Sequence, residues 1–403
     1  MDARESHERW LLPDGLDEIL PPHGEQYEQL RRQLLDLFRS WGYDLVVPPL
    51  VEYIESLLTG LGSDLDLQTF KLTDLESGRT LGVRADMTPQ VARIDAHQLR
   101  RTGPTRLCYV GTVLRTRRDG PDSTRSPVQV GAELYGHSGL ESDAEVIRLM
   151  LEMLRTAGIE NAHLDIGNAG IFLALSDAAA LSLNTREVVF SALQRKASAD
   201  VRDLVANSGR VSTRLVDAFE ALTKLNGPIE TLGLARSALS GVSADALQAV
   251  DKLTRLADIL AAQDIEVHVD LAELRGYRYH PGVVFAAFVP GEGQEVARGG
   301  RYDDIGEAFG RARPATGFSS DMRTLLRVAN RKPNLVDKVF VPWSASNRHA
   351  ALIAQLRTEG RRVVEALSES DDDPALHDCS HTVVWSGDDP RVVAVSASTE
   401  NGV

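Results

Sequence analysis

Two short apolar stretches, separated by a loop of different chemistry, constrain this chain more than anything else in it. Leu107 to Arg115 (LCYVGTVLR) and Val128 to Tyr135 (VQVGAELY) read as strands, and residues 116–127 between them are rich in Arg, Asp, Gly, Pro and Ser. Side chains alternate across a strand, so Val128, Val130, Ala132 and Leu134 share one face, and Gln129, Gly131 and Glu133 share the other. The polar face is either solvated, as one face of an antiparallel sheet commonly is, or a floor for a ligand. Gly131 would leave room above the sheet beside an amide and a carboxylate.

Further elements surround this pair. Tyr27, Leu30, Leu34, Leu37, Phe38 and Trp41 recur at helical spacing, Glu28, Arg31, Arg32 and Asp36 stay wet, and Gly42 ends the helix. Tyr43 to Pro49 (YDLVVPP) predicts a short strand that its prolines keep at an edge or an interface. A helix feeding an edge strand suits a dimer contact or an ordinary exposed edge. From Glu141 to about Ala261, helical stretches alternate with short breaks, interrupted by a strand at His163 to Gly167, and about 170–262 reads as a helical insertion. Ile265 to Leu271 alternates as a strand. His268 and Asp270 have the spacing of a metal pair, but no third ligand accompanies them, so no metal site is read. A bend at Gly276 to Gly282 precedes the strand VVFAAFV, a turn at PGEG, a short strand at EVA, and RGGRYDD. Residues 335–403 hold 11 acidic and 6 basic side chains and predict a small α/β segment, short for an independent domain. The division is thus a core over 1–330 and an acidic C-terminal segment over 335–403.

Composition excludes several functions. With 44 Lys plus Arg against 58 Asp plus Glu, the net charge of −14 repels polyanions, so extended nucleic-acid binding is disfavoured. Two cysteines, Cys108 and Cys379, cannot build a disulfide framework and fit a reducing compartment. No run approaches the roughly 18 apolar residues of a membrane helix, and the N-terminus lacks signal-peptide character, so a cytoplasmic location is expected. Gly291 and Gly293 give only G-x-G, and neither a P-loop nor G-x-S-x-G occurs.

Over about residues 10–330, in order and with matching spacing, the chain resembles class II aminoacyl-tRNA synthetases of the histidyl type. GYDLVVPPLVE resembles motif 1, the dimerisation motif, with Pro49 at its proline. VRADMTPQVARI resembles the LRPEGT segment, and LCYVGTVLR with PVQVGAELYG resembles motif 2. ELRGYRYHPGVVF and GGRYD resemble two stretches particular to the histidyl enzymes. The resemblance implies an α+β fold with a class II aminoacyl-tRNA synthetase-like antiparallel sheet flanked by helices, a helical insertion and a short C-terminal α/β remnant.

It also implies a histidine-binding pocket. Asp86, Thr88 and Gln129 match the ammonium-binding positions, Arg115 the carboxylate partner and Glu133 an imidazole contact. Arg275 matches an arginine set against the carboxylate and α-phosphate, Tyr279 and His280 match paired tyrosines over the ring, and Gly299, Gly300 and Arg301 match the neighbouring strand. Such a set suits free histidine, whose ammonium, carboxylate and imidazole need an anion, a cation and an acceptor around one small cavity. The alternative is a relic pocket that binds nothing.

The departures fall on the nucleotide side. Motif 3 ends in the synthetases with a glycine, an apolar residue, a glutamate and an ATP-clamping arginine; here Asp321, Arg323 and Thr324 stand at the glycine, glutamate and arginine positions. Losing one charge-assisted phosphate contact costs about 1.5–3 kcal/mol. Arg117 takes the motif 2 glutamate position. A histidyl-synthetase-like body without this chemistry resembles the regulatory-subunit family of ATP phosphoribosyltransferase. That resemblance implies no catalytic residues, cofactor or metal, with L-histidine as effector and self-association as a homodimer through the motif 1 region. The implied partner is the short-form catalytic subunit, in a hetero-oligomer read as a hetero-octamer, with no nucleic acid or membrane involved. The alternatives are an active histidine–tRNA ligase with a divergent motif 3, and a synthetase-like protein controlling translation through RNA.

Overall fold

The stripe of Leu30, Leu34 and Phe38 buries one side of helix α1 (His23–Ser40), and Gly42, at a φ of +80°, turns the chain out of it. The first strand is shorter than YDLVVPP predicts: β1 is only Asp44–Leu45, on the sheet edge and parallel to its neighbour. The computed structural model describes residues 10–59, 63–118, 120, 123–272, 282–303, 306–329, 337–343, 350–386 and 389–395. These divide into two units, Met1–Arg331 and Lys332–Val403.

In the first unit, β2 (Val51–Tyr53), β3 (Phe70–Thr73) and β4 (Thr80–Val83) make a small antiparallel sheet in the order β2-β4-β3. Helix α2 (Thr88–Arg93) leads into a π-helical turn, Ile94–Leu99. Strand β5 (Thr105–Thr112) pairs antiparallel with β6 (Val128–Tyr135). β5 stops three residues before the expected Arg115: the Val113 amide still reaches the Pro127 carbonyl at 3.0 Å and the Arg115 amide the Arg125 carbonyl at 2.8 Å, but Pro127 has no amide to donate in return. Helix α3 (Leu140–Ala157) buries Val146, Ile147, Met150, Met153 and Leu154, and ends at Gly158 with φ +97°.

Strand β7 (His163–Asn168) opens the excursion made by α4 (Ala169–Ala178), α5 (Leu183–Gln194), α6 (Ser198–Ala206), α7 (Thr213–Leu222), α8 (Thr231–Leu239) and α9 (Ala244–Ala261). Asn168, Ser182, Ser212 and Ser243 each accept a first-turn amide from the helix they precede, so side-chain oxygens fix four of these starts. Inside, Phe172 meets Phe219 edge to face at 6.2 Å. The short strand β8 (Asn226–Gly227) belongs to the excursion, which returns through β9 (His268–Asp270), parallel to β7. Strands β10 (Val283–Phe288), β11 (Ala297–Arg301) and β12 (Ala315–Asp321) and helix α10 (Met322–Ala329) complete the unit. The strand expected at EVA instead covers Ala297–Arg301, the ARGGR stretch.

The large sheet has nine strands in the order β1-β5-β6-β12-β11-β10-β7-β9-β8, antiparallel except at β1–β5 and β7–β9. One face packs on α1 and α3, with Phe38 edge to face against Phe318 of β12 at 6.2 Å. Every residue of β6 is buried. Its Gln129–Glu133 face is therefore not the solvated face that alternation alone allowed. This is a class II synthetase-like α+β fold.

The second unit has a four-stranded sheet, β14-β13-β15-β16, from β13 (Lys338–Val341), β14 (Arg362–Glu365), β15 (His381–Ser386) and β16 (Asp389–Ala394). Val339, Val341 and Val383 pack with Ile353 and Leu356 of helix α11 (Ala350–Thr358). Cys379 is buried near Phe340 and Ala366, and burial raises its thiol pKa.

Candidate functional site

Register decides what gathers on the face of β6 away from α1 and α3. Glu133 stands beside Gly317 of β12 and Leu107 of β5; Gly131 stands beside Ser319 and Tyr109. Both glycines make room for a neighbour. A Cβ on Gly317 would lie 1.5 Å from Glu133 Oε2, and one on Gly131 would lie 2.5 Å from both the Tyr109 hydroxyl and the Phe318 carbonyl. The space expected above Gly131 is thus filled from within the protein by the end of the Tyr109 ring.

Glu133 is 1 % exposed and is held by hydroxyls. Its Oε1 accepts from Tyr109 at 2.9 Å and Thr88 at 3.1 Å; its Oε2 accepts a short bond from Tyr302, whose hydroxyl lies 3.5 Å from that of Tyr135. Burial pushes the Glu133 carboxyl up to about 8, against the opposing effect of the Tyr302, Tyr109 and Thr88 hydroxyls. The three tyrosines are themselves raised well above their usual range, first by burial and then by the Glu133 charge.

A second carboxylate is joined to this cluster. Asp86 Oδ1 accepts from Gln129 Nε2 at 2.8 Å and the Thr88 amide at 2.9 Å, while Gln129 Oε1 accepts the Met87 amide at 2.8 Å. Both bonds to Asp86 fall on Oδ1, so the carboxylate is oriented in advance, and a partly buried acceptor of this kind suits an ammonium group. The segment is anchored from behind: Arg84 donates to the Pro48 carbonyl at 2.7 Å and the Thr112 carbonyl at 2.9 Å, and Gln90 to the Pro49 carbonyl and Glu52 at 2.8 Å. Arg115 reaches the same strip, its Nε donating to the Ala85 carbonyl at 3.3 Å.

Asp86, Thr88, Gln129 and Glu133 therefore form one hydrogen-bonded group with Arg115 beside it. Arg275, Tyr279 and His280 lie outside the described residues. Gly299, Gly300 and Arg301 do not act as one wall, because successive residues of β11 point to opposite faces. Arg301 lies on the helix-packed face and is locked to Asp143 at 2.9 Å, with further bonds to the His137 and Gly139 carbonyls. His268 lies 3.3 Å from Asp165, and Asp270 pairs with Lys196 at 2.7 Å. Among the described residues, no three His, Cys, Asp or Glu side chains are grouped to hold a metal ion.

Tyr109, Tyr135 and Tyr302 were missed as members of the cluster. Their signal was present: Tyr109 and Tyr135 fall on the inward face by two-residue alternation, and Tyr302 follows the GGR stretch. An open cleft of about 460 Å³, lined by Trp41, Gly42, Arg106, Glu141, Glu145 and Arg148, lies apart from this cluster, on the opposite face of the sheet.

Beside Gln129, at the C-terminal end of β12, the groups at the motif 3 positions are engaged by groups of the chain itself. Asp321 accepts from the Val128 amide at 2.9 Å, the Thr324 hydroxyl at 3.0 Å and the Thr324 amide at 3.2 Å. Arg323 bonds the Asp17 carboxylate and, at 2.9 Å, the Asp17 carbonyl. Arg117 is exposed.

Residues 15–325 match the family model described as Histidyl-tRNA synthetase, and residues 336–393 match that of the ATP phosphoribosyltransferase subunit HisZ C-terminal domain. The ATP phosphoribosyltransferase regulatory subunit of Thioalkalivibrio sulfidiphilus is 51% identical over 378 residues, 93% of this chain and 95% of that protein. The protein of the same name from Alkalilimnicola ehrlichii is 52% identical over 375 residues, 92% of this chain and 93% of that protein. Among solved structures, an ATP phosphoribosyltransferase regulatory subunit/histidyl-tRNA synthetase from Bacillus halodurans superposes with a TM-score of 0.81 at 27% identity, covering 92% of this chain and 96% of that one.

Proposed function

The chain belongs to the family of ATP phosphoribosyltransferase regulatory subunits, which serve histidine biosynthesis, and from that premise we propose that it carries no reaction of its own. It activates a short-form catalytic subunit and transmits feedback inhibition by L-histidine. The catalytic subunit binds ATP and phosphoribosyl pyrophosphate; this chain supplies the effector pocket. It associates with itself through the α1–β1 region and with the catalytic subunit in a hetero-octamer.

The observation that carries this proposal is an asymmetry between two neighbouring sets of residues, which meet where Gln129 pairs with Asp321. The amino-acid set keeps an oriented carboxylate, an amide and a second carboxylate in one network, at Asp86, Gln129 and Glu133. In the nucleotide set, Asp321, Arg323 and Thr324 are all engaged by groups of the chain itself. In the proposed complex, Asp86 and Gln129 receive the histidine ammonium and Arg115 its carboxylate. Arg275, Tyr279 and His280 complete the pocket. The imidazole reaches Glu133 by exchanging with one of the hydroxyls that now cover it. Feedback then requires only that histidine prefer one state of the assembly; a preference of about 1–3 kcal/mol gives roughly 5- to 150-fold coupling.

The test combines the purified chain with a short-form catalytic subunit. The expected result is a stable complex, a gain in phosphoribosyltransferase activity, and histidine inhibition weakened by Glu133→Ala. Unchanged histidine affinity of that variant by calorimetry would remove the pocket from the account. Sustained histidine-dependent ATP–pyrophosphate exchange by the chain alone would reject the non-catalytic role.

A further inference from the structure

Asp86 and Glu133 belong to one network, but different kinds of donor meet them. Asp86 Oδ1 faces two N–H groups, of Gln129 and Thr88, which can only donate. Glu133 faces hydroxyls alone: Tyr109 of β5 and Thr88 at Oε1, and Tyr302, which follows β11, at Oε2. A hydroxyl donates or accepts by rotating, so this cage holds a carboxylic acid as readily as a carboxylate.

The groups packed around Glu133 favour the acid. β5 brings Tyr109, β6 itself brings Tyr135, β12 brings only Gly317, Tyr302 stands beside Tyr135, and the segment before α2 brings a second carboxylate, Asp86. Among the described residues no arginine, lysine or histidine pairs with Glu133, which is 1 % exposed. A carboxylate taken out of water without a cation takes up a proton instead.

A histidine ring would bring the cation that is missing. We propose that Glu133 selects its ligand by giving up a proton: its O–H bond breaks, an N–H bond forms on the entering imidazole, and the ring is held as imidazolium against the carboxylate. The hydroxyls that the ring has not displaced turn to donate to the new anion. This step rests on the reading of histidine as the occupant, and it narrows the occupant to an amino acid whose side chain is a base near neutral pH. Rings of the same shape but lower basicity are refused. Feedback also weakens on both sides of neutrality, in alkali because Glu133 has already lost its proton and in acid because the ring arrives already charged.

The complex of the full-length chain with a short-form catalytic subunit is titrated with histidine by calorimetry in paired buffers of different ionisation enthalpy, which counts the protons exchanged. Glu133 titrates near 8 and a free imidazole near 6.5, while the bound pair keeps one proton throughout. Binding should therefore release about 0.9 proton at pH 5.5, exchange almost none near pH 7.2 and take up about 0.7 at pH 8.5, and Glu133→Gln should lose that uptake. The nitrogen shifts of bound, ring-labelled histidine at pH 7.2 should be those of imidazolium, and 1,2,4-triazolylalanine should bind at least about tenfold more weakly than histidine. A neutral bound ring, an uptake at pH 8.5 unchanged in Glu133→Gln, or equal binding of the triazole would each overturn the proton transfer and leave histidine as the effector. A complex that binds no histidine at all would remove the effector reading and the transfer together.

Discussion

Replacing Glu133 by glutamine separates the charge of the buried carboxyl from its shape. The folded protein holds this group near 8, against 4.5 for the unperturbed carboxyl, chiefly because burial disfavours the ion. Below pH 4.5 both folded and unfolded states carry the proton, and the group contributes nothing to the pH dependence. Between 4.5 and about 8 the unfolded chain has released the proton while the folded one keeps it, so stability falls as pH rises. Above about 8 both states are ionised and the loss is complete. At about 1.4 kcal/mol per unit, the full loss is on the order of 5 kcal/mol. Glutamine stays neutral and retains an oxygen for Tyr109 and Thr88, so Glu133→Gln should gain on the natural protein from pH 5 to about pH 8 and level off by pH 9. Urea unfolding of both proteins at pH 5, 7 and 9, followed by tryptophan fluorescence, measures the difference. A gap that stays constant within about 0.5 kcal/mol across that range would refute the idea that burial dominates this carboxyl.

Two further substitutions test the packing around the site. Gly131→Ala pushes a methyl group against the Phe318 carbonyl and the Tyr109 hydroxyl, and should cost about 1–3 kcal/mol in chemical denaturation; an unchanged midpoint would show that the strands part easily there. Asp95→Ala leaves Arg313 without the carboxylate it now grips at 2.7 and 2.8 Å in a buried setting, and should cost about 3–5 kcal/mol, whereas Asp95→Leu with Arg313→Met should cost much less. Equal losses from the two variants would contradict that account.

Much of this was legible in the residues because it depends on local patterns. The α1 stripe, the β6 alternation and the strand at His163 are set by spacing, and the structure has elements in each place. The match of Asp86, Thr88, Gln129 and Glu133 to known motifs placed four side chains that prove to be hydrogen-bonded together. The features that could not be read were fixed by distant partners. Whether the polar face of β6 met water depended on Tyr302, which lies 169 positions from Glu133. The turn of Arg301 to the helix-packed face depended on the antiparallel register of β11 and on Asp143 of α3 waiting on that face. The engagement of Arg323 depended on a segment near the other end of the chain.

The order of strands in the large sheet has a consequence for synthesis. β6 pairs on one side with β5, its neighbour in sequence, but on the other side with β12, so that Gln129 waits for Asp321. At about 5–20 residues per second, roughly 10–40 seconds separate the emergence of these two strands from a ribosome. During that interval the β5–β6 hairpin offers a bare ladder edge and an apolar row from Val128 to Leu134 to any passing strand. Nascent chains stalled between the excursion and β12 should therefore be clients of chaperones, and release should follow when ARGGR and ATGFSSD close the gap.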